Sequence, residues 1–147
     1  MAKVYISLRR NDEGEKELLS AIRQDATDDN AKYFLGALFV QAGEYAKSLP
    51  YMERAHKVTP DSWPAAYYLG KARLKLKDSK GAVPLLQQAA ELNPDEPTVF
   101  YALASALREL GRTDEAKQAL RRVNELHTSS LEVEKKFLQD SIIVGAR

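Results

Sequence analysis

Apolar residues along this chain fall at helical intervals, and the same intervals return three times. Between Trp63 and Glu96, Leu69, Ala72 and Leu76 form one apolar row, and Ala82, Leu86 and Ala89 form a second. Both rows follow the spacing of an amphipathic helix rather than the alternation of a strand. A short polar turn separates them, so the stretch predicts two helices folded into a hairpin. Its neighbours on both sides repeat it. Tyr33, Tyr67 and Tyr101 stand 34 residues apart, as do Leu35, Leu69 and Leu103, then Met52, Leu86 and Leu120, then Ala55, Ala89 and Val123. Pro60 and Pro94 keep the step, and so do Pro50 and Pro84. Two helices per unit at a period in this range mark a helical solenoid.

Single residues refine the pattern. Gly36 and Gly70 lie inside first helices, where helix propensity alone disfavours glycine by about 1 kcal/mol against alanine. Their recurrence, with Ala104 at the third position, says that close helix packing decides. Gly43 and Gly111 end first helices, where a left-handed backbone is often required; Lys77 holds that place in the middle unit and predicts a differently shaped turn. Thr27 or Asp28 can cap the helix of the first whole unit. Pro64 and Pro97 sit in first turns, where the missing amide costs little. Pro50 and Pro84 lie deeper in second helices, each removing one hydrogen bond, and are expected on the outer face as tolerated kinks.

The two ends depart from the pattern. One period back from Ser48, Met52 and Ala55 stand Gly14, Leu18 and Ala21, and one period back from Gly36 and Phe39 stand Ala2 and Tyr5. Residues 1–28 therefore read as a truncated repeat: the rest of a first helix over Met1–Leu8, a polar turn at Arg10–Glu13, and a second helix from about Glu15 to Gln24. Val4, Ile6 and Leu8 have little in front of them, and a solenoid end needs a polar face, so further repeats or another domain are expected before Met1. After Thr128 the register stops. Ser129, with Glu132 three residues later, reads as a capping box, opening a last helix from Leu131 to about Ile143. That helix is expected to cover the open face left by helices 97–110 and 114–126.

At these residues the chain resembles the tetratricopeptide repeat family. The family places a large apolar and then a small residue in its first helix, here Leu35-Gly36, Leu69-Gly70 and Leu103-Ala104. Its second helix carries a small, a large and another small residue, here Ser48, Met52, Ala55; Ala82, Leu86, Ala89; and Ala116, Leu120, Val123. Pro60 and Pro94 match its closing proline. The departures are local: Lys32 and Ala66 stand where an aromatic is preferred, Arg73 where Phe39 and Leu107 are apolar, and Thr128 replaces the third proline. The resemblance implies an all-α fold, a right-handed superhelical α-solenoid of antiparallel helix hairpins. Its units would be 29–62, 63–96 and 97–130, after a truncated repeat over 1–28 and before a capping helix and tail over 131–147.

Composition narrows the chemistry. With 22 basic and 21 acidic residues the net charge is +1, which gives no polyanion footprint and argues against nucleic acid as the main partner. There is no cysteine, which excludes disulfides and thiolate metal sites. No run approaches the roughly 18 apolar residues of a membrane span. No signal peptide opens the chain, which leaves cytoplasmic residence as the default expectation. His56 and His127 lie far apart and read as surface or edge residues rather than ligands or bases. The acids Asp25, Asp28 and Asp29 read as helix-start charge. No catalytic constellation, metal or cofactor is expected.

What remains is a surface. The family's first helices line a concave groove that holds peptides. Carried over unit by unit, that row is Tyr33, Ala37, Val40 and Gln41; then Tyr67, Lys71, Leu74 and Lys75; then Tyr101, Ser105, Arg108 and Glu109. Helical spacing puts each set on one face. The three tyrosines would form a ladder with apolar faces and polar tips, weighed evenly against simple packing between units. Lys71, Lys75 and Arg108 would make a basic spot, weighed evenly against a solvated face. The carboxylate clamp of the family's chaperone-binding members does not map: its places hold Tyr33, Ala37, Tyr68, Thr98 and Ala102. The expected function is a non-catalytic protein-interaction module whose partner is a protein or peptide carrying an acidic residue. Rival readings are a regulatory or targeting arm of a larger enzyme, such as a transferase, and an RNA-binding helical repeat, which the near-neutral charge disfavours. The ragged N-terminal edge and the apolar tail are two places where a homo-oligomer could form.

Overall fold

The computed structural model describes residues 11–145, and within them the chain is helical apart from short turns. The helices are α1 (Asn11–Gln24), α2 (Asp29–Gln41), α3 (Tyr45–Val58), α4 (Trp63–Lys75), α5 (Ser79–Leu92), α6 (Pro97–Glu109) and α7 (Thr113–Gly145). Each packs on the next, giving antiparallel hairpins α2–α3, α4–α5 and α6–α7 stacked in a row. The chain is thus an all-α solenoid. Its curvature follows from which helices touch. The backbones of the first helices approach one another across units, α2 to α4 and α4 to α6, whereas those of the second helices α3, α5 and α7 stand further apart. First helices therefore form the inner wall and second helices the outer one.

Local chemistry fixes where each helix begins and ends. The amide of Ala31 donates to Asp28 Oδ1 at 2.9 Å, that of Ala65 to Ser62 Oγ at 3.3 Å, and that of Gly81 to Asp78 Oδ1 at 3.0 Å. Each cap satisfies an amide the helix leaves without a partner. First helices end in one recurring turn. Gly43, Lys77 and Gly111 all take positive φ, at 78°, 69° and 74°. In the middle unit the amide of Lys77 donates to the Leu74 carbonyl and that of Asp78 to the Arg73 carbonyl. The same pair of bonds recurs around Gly43 and Gly111, the Schellman arrangement. The expectation of a different turn at Lys77 is corrected: the hydrogen bonds impose the left-handed backbone whether or not glycine supplies it.

The hairpins close through glycine. A Cβ on Gly36 would stand 2.8 Å from Tyr51 Cβ, and one on Gly70 would stand 2.8 Å from Leu86 Cγ. The core is a strip between units. Ala37, Val40 and Met52 meet Leu69, Ala72 and Leu85 across the first junction, and Leu74, Val83 and Leu86 meet Leu103, Ala106 and Leu107 across the second. Each such large side chain contributes about 1.5–3 kcal/mol on burial. Polar ties back up this strip on the outer wall. Gln88 Nε2 donates to the Pro60 carbonyl at 2.8 Å, and Arg122, one period on, donates to the Pro94 carbonyl at 3.1 Å. Because the Gln88 amide nitrogen is used there, its Oε1 accepts from His56 Nε2, 2.8 Å away. Pro50 and Pro84 lie inside α3 and α5 and are exposed.

Two boundaries differ from expectation. Asn11–Glu13 lie within α1, so they are helical rather than a turn. The break expected near Ser129 is absent, because α7 runs unbroken from Thr113 to Gly145. Thr128 replaces the proline that stops the earlier second helices, and its hydroxyl donates back to the Asn124 carbonyl at 2.9 Å. Residues 129–142 are exposed throughout, so they extend beyond the last hairpin instead of folding back over it. The helix expected over Met1–Leu8, with Ala2, Val4, Tyr5 and Ile6, lies outside the described residues, as does Arg10.

Candidate functional site

Stacking α6 against α4 leaves a cleft of about 410 Å³ on the inner wall, at the junction of the last two units. Helical spacing supplies its walls. Tyr67, Lys71, Leu74 and Lys75 stand on one face of α4. Thr98, Tyr101, Ala102, Ser105 and Glu109 face them from α6, and Lys77 enters from the turn after α4. Leu74, buried against Leu103 and Leu107, makes the floor apolar.

The cleft's charges are unevenly satisfied. Glu109 accepts a hydrogen bond from the Ser79 hydroxyl and pairs with Lys77 Nζ at 3.8 Å. Lys71 and Lys75 have no carboxylate partner among the described residues. Lys71 Nζ instead stands 6.0 Å over the Tyr67 ring, a cation–π placement that holds the ammonium above the floor. Burial pushes the Tyr67 hydroxyl above the usual phenol range, with Tyr68 adding to the effect and a hydrogen bond with Thr98 opposing it. Tyr101 is half exposed (50%), its ring edge-on to His127 at 6.5 Å.

The structure brings seven of the expected residues together here: Tyr67, Lys71, Leu74, Lys75, Tyr101, Ser105 and Glu109. The others lie elsewhere. Ala37 and Val40 are core residues, 4% and 2% exposed, because Leu69 and Ala72 of the next unit cover them. Gln41 is exposed at the end of α2, and Arg108 is exposed on α6 outside the cleft lining. Tyr33 does not join Tyr67 in a ladder. Its ring packs edge-on against Phe34 at 5.3 Å and Tyr68 at 6.4 Å, and burial raises its hydroxyl to about 12. Thr98 and Ala102, considered from sequence only as unmatched clamp places, also line the cleft, since 98, 101, 102, 105 and 109 follow one helix face. Lys77 joins them from the turn after α4.

Helical hairpins stacked in register around an inner groove define the class of helical-repeat interaction proteins. Profiles described as tetratricopeptide repeat match residues 1–66, 38–97 and 73–133, and the chain belongs to that family. It is accordingly a protein–protein interaction module. Comparison with curated protein sequences returns no match. Among solved structures, MamA 41-end from Desulfovibrio magneticus RS-1 superposes with a TM-score of 0.81 at 21% identity, covering 88% of this chain and 73% of that one. A structure titled MamA MSR-1 gives 0.77 at 24% identity over 88% and 74% of the two chains, and one titled MamA AMB-1 gives 0.78 at 23% over 87% and 76%. At such identities the likeness is one of fold. No helix among the described residues is long and apolar enough to cross a membrane.

Proposed function

We propose that this chain is a non-catalytic module that holds a peptide segment of a partner protein in the cleft between α4 and α6. Tyr67 and Tyr101 grip apolar side chains of the segment, and Lys71 with Lys75 selects an acidic residue beside them. The observation that carries this reading is the pair of lysines lining an apolar, aromatic cleft without a carboxylate partner among the described residues, Lys71 standing over the Tyr67 ring. Arg108 drops out of the basic spot, and Lys77 is already engaged by Glu109. A preformed wall between two packed helices lowers the ordering cost of binding. The test is selection from a library of displayed short peptides. Peptides carrying Asp or Glu next to an apolar residue are expected to be enriched, and Lys71→Glu combined with Lys75→Glu is expected to weaken them by about tenfold or more. A selection without acidic enrichment, or affinities unmoved by the double substitution, refutes the reading.

A further inference from the structure

A second cavity, of about 310 Å³, opens at the junction between the first two whole units, away from the cleft. Tyr33 of α2, Ala55 and Val58 at the end of α3, and Ala65 of α4 line it together with the polar Asp29, Asn30, Thr59 and Ser62. The repeat itself says what this space is shaped for. One period on, the corresponding residues are Tyr67, Ala89, Leu92, Val99 and, for Asp29, Trp63. At that second junction the indole of Trp63 packs against the buried cluster of Ala66, Ala89 and Val99, beside the Tyr67 ring at 6.3 Å. At the first junction a carboxylate takes the indole's place, and Asp29 reaches instead to Arg54, whose Nε donates to it at 3.1 Å. Ala65 for Val99 and Val58 for Leu92 remove further bulk. Lys32 stands where Ala66 backs the indole, so the first junction keeps a tyrosine and two alanines of that surround and lacks its tryptophan.

We propose that this cavity is a binding site for a tryptophan side chain presented by a partner protein. Tyr33, Ala55 and Ala65 stand where Tyr67, Ala89 and Val99 surround Trp63 within this chain. The Asp29 carboxylate supplies an acceptor for the indole N–H, which a buried indole needs. A large aromatic anchor in a small pocket is the usual form of a dominant interface contact. This site shares no lining residue with the α4–α6 cleft, so it stands whether or not that cleft binds a peptide.

The experiment is an amide chemical-shift titration of the whole chain with indole and with N-acetyltryptophanamide, using N-acetylleucinamide as the comparison. Saturable shifts are expected at Tyr33, Val58 and Ala65, with the leucine analogue binding more weakly. Asp29→Trp supplies the missing indole from within; it is expected to raise the melting temperature and to weaken the added ligand by about tenfold or more. Ala65→Val, a milder narrowing, is expected to act in the same direction on binding and serves where Asp29→Trp does not fold. Absence of saturable shifts at this junction, equal affinity for the leucine analogue, or unchanged indole affinity in a folded variant overturns the proposal.

Discussion

Glycine at positions 36 and 70 is there for contact. Gly70 packs so closely on the fully buried Leu86 that a methyl group would stand 2.8 Å from Leu86 Cγ and 3.0 Å from Cδ2. Overpacking of that kind costs about 1–3 kcal/mol, whereas alanine returns about 1 kcal/mol of helix propensity. Gly70→Ala is therefore expected to destabilise the fold by up to about 2 kcal/mol in urea unfolding, against the direction propensity predicts. Gain of stability would show that the helices can move apart. Tyr33 makes a prediction about pH. Burial holds its hydroxyl at about 12, against 10.0 for an ordinary tyrosine. Between those values the unfolded chain has released the proton and the native chain still holds it. Stability from this group is complete below pH 10 and lost as pH rises toward 12. The urea midpoint of the wild-type chain is expected to fall from about pH 9 to about pH 11.5, and to fall less in Tyr33→Phe. Equal slopes in the two proteins would show that Tyr33 titrates alike in both states; Tyr67, also raised by burial, accounts for part of what remains.

At the scale of the element, the hairpins were legible and the last helix was not. The recurrence of Leu35, Leu69 and Leu103 with Gly36, Gly70 and Ala104 fixes which faces pack, because a buried contact repeats wherever its partner repeats. A helix end is written differently, in a few residues of local chemistry. Ser129 and Glu132 satisfy a capping box on paper, yet a cap acts only where the backbone has already left the helix. Nothing near Thr128 makes it leave: there is neither proline nor glycine, and the Thr128 hydroxyl settles on the Asn124 carbonyl as mid-helix threonines do. Lys77 teaches the converse, since the turn it occupies is set by backbone bonds strong enough to hold a lysine at φ 69°, a conformation that costs about 1–2 kcal/mol. Thr128→Pro is expected to restore the missing break. Proline there removes an amide and clashes with the carbonyl of residue 124, costing about 3 kcal/mol. Residues 129–142 bury no side chain, so the cost falls on the exposed segment and not on the array. Cα shifts of residues 124–132 should lose helical character while the melting temperature moves by less than about 2 °C. A large fall in melting temperature would mean that the extension supports the solenoid.

At the scale of the whole molecule, the inner wall could be read from the period but its accessible part could not. Ala37, Lys71 and Ser105 are one position in three units, as are Val40, Leu74 and Arg108. Their fates differ because each unit is covered by the next: Ala37 and Val40 vanish under α4, while Ser105 and Arg108 follow the last junction and stay exposed. Burial in a solenoid is a property of the junction, and junctions differ wherever one unit departs from its neighbour. The same logic governs how the chain opens. With contacts only between neighbours, a weakened junction frees the units on its outer side without touching those beyond it. The tie at the first junction runs through Gln88, which gives its amide hydrogen to the Pro60 carbonyl and its oxygen to His56. Removing a half-exposed hydrogen-bonding group of this kind costs about 1 kcal/mol. Gln88→Ala is accordingly expected to speed hydrogen exchange of the protected amides in α1, α2 and α3 by about fivefold. Amides from Leu103 to Val123, which lie past the second junction with its own Arg122–Pro94 tie, should keep their wild-type rates. Uniform acceleration along the chain would show that the array opens as one cooperative body, and the neighbour-by-neighbour account would then fail.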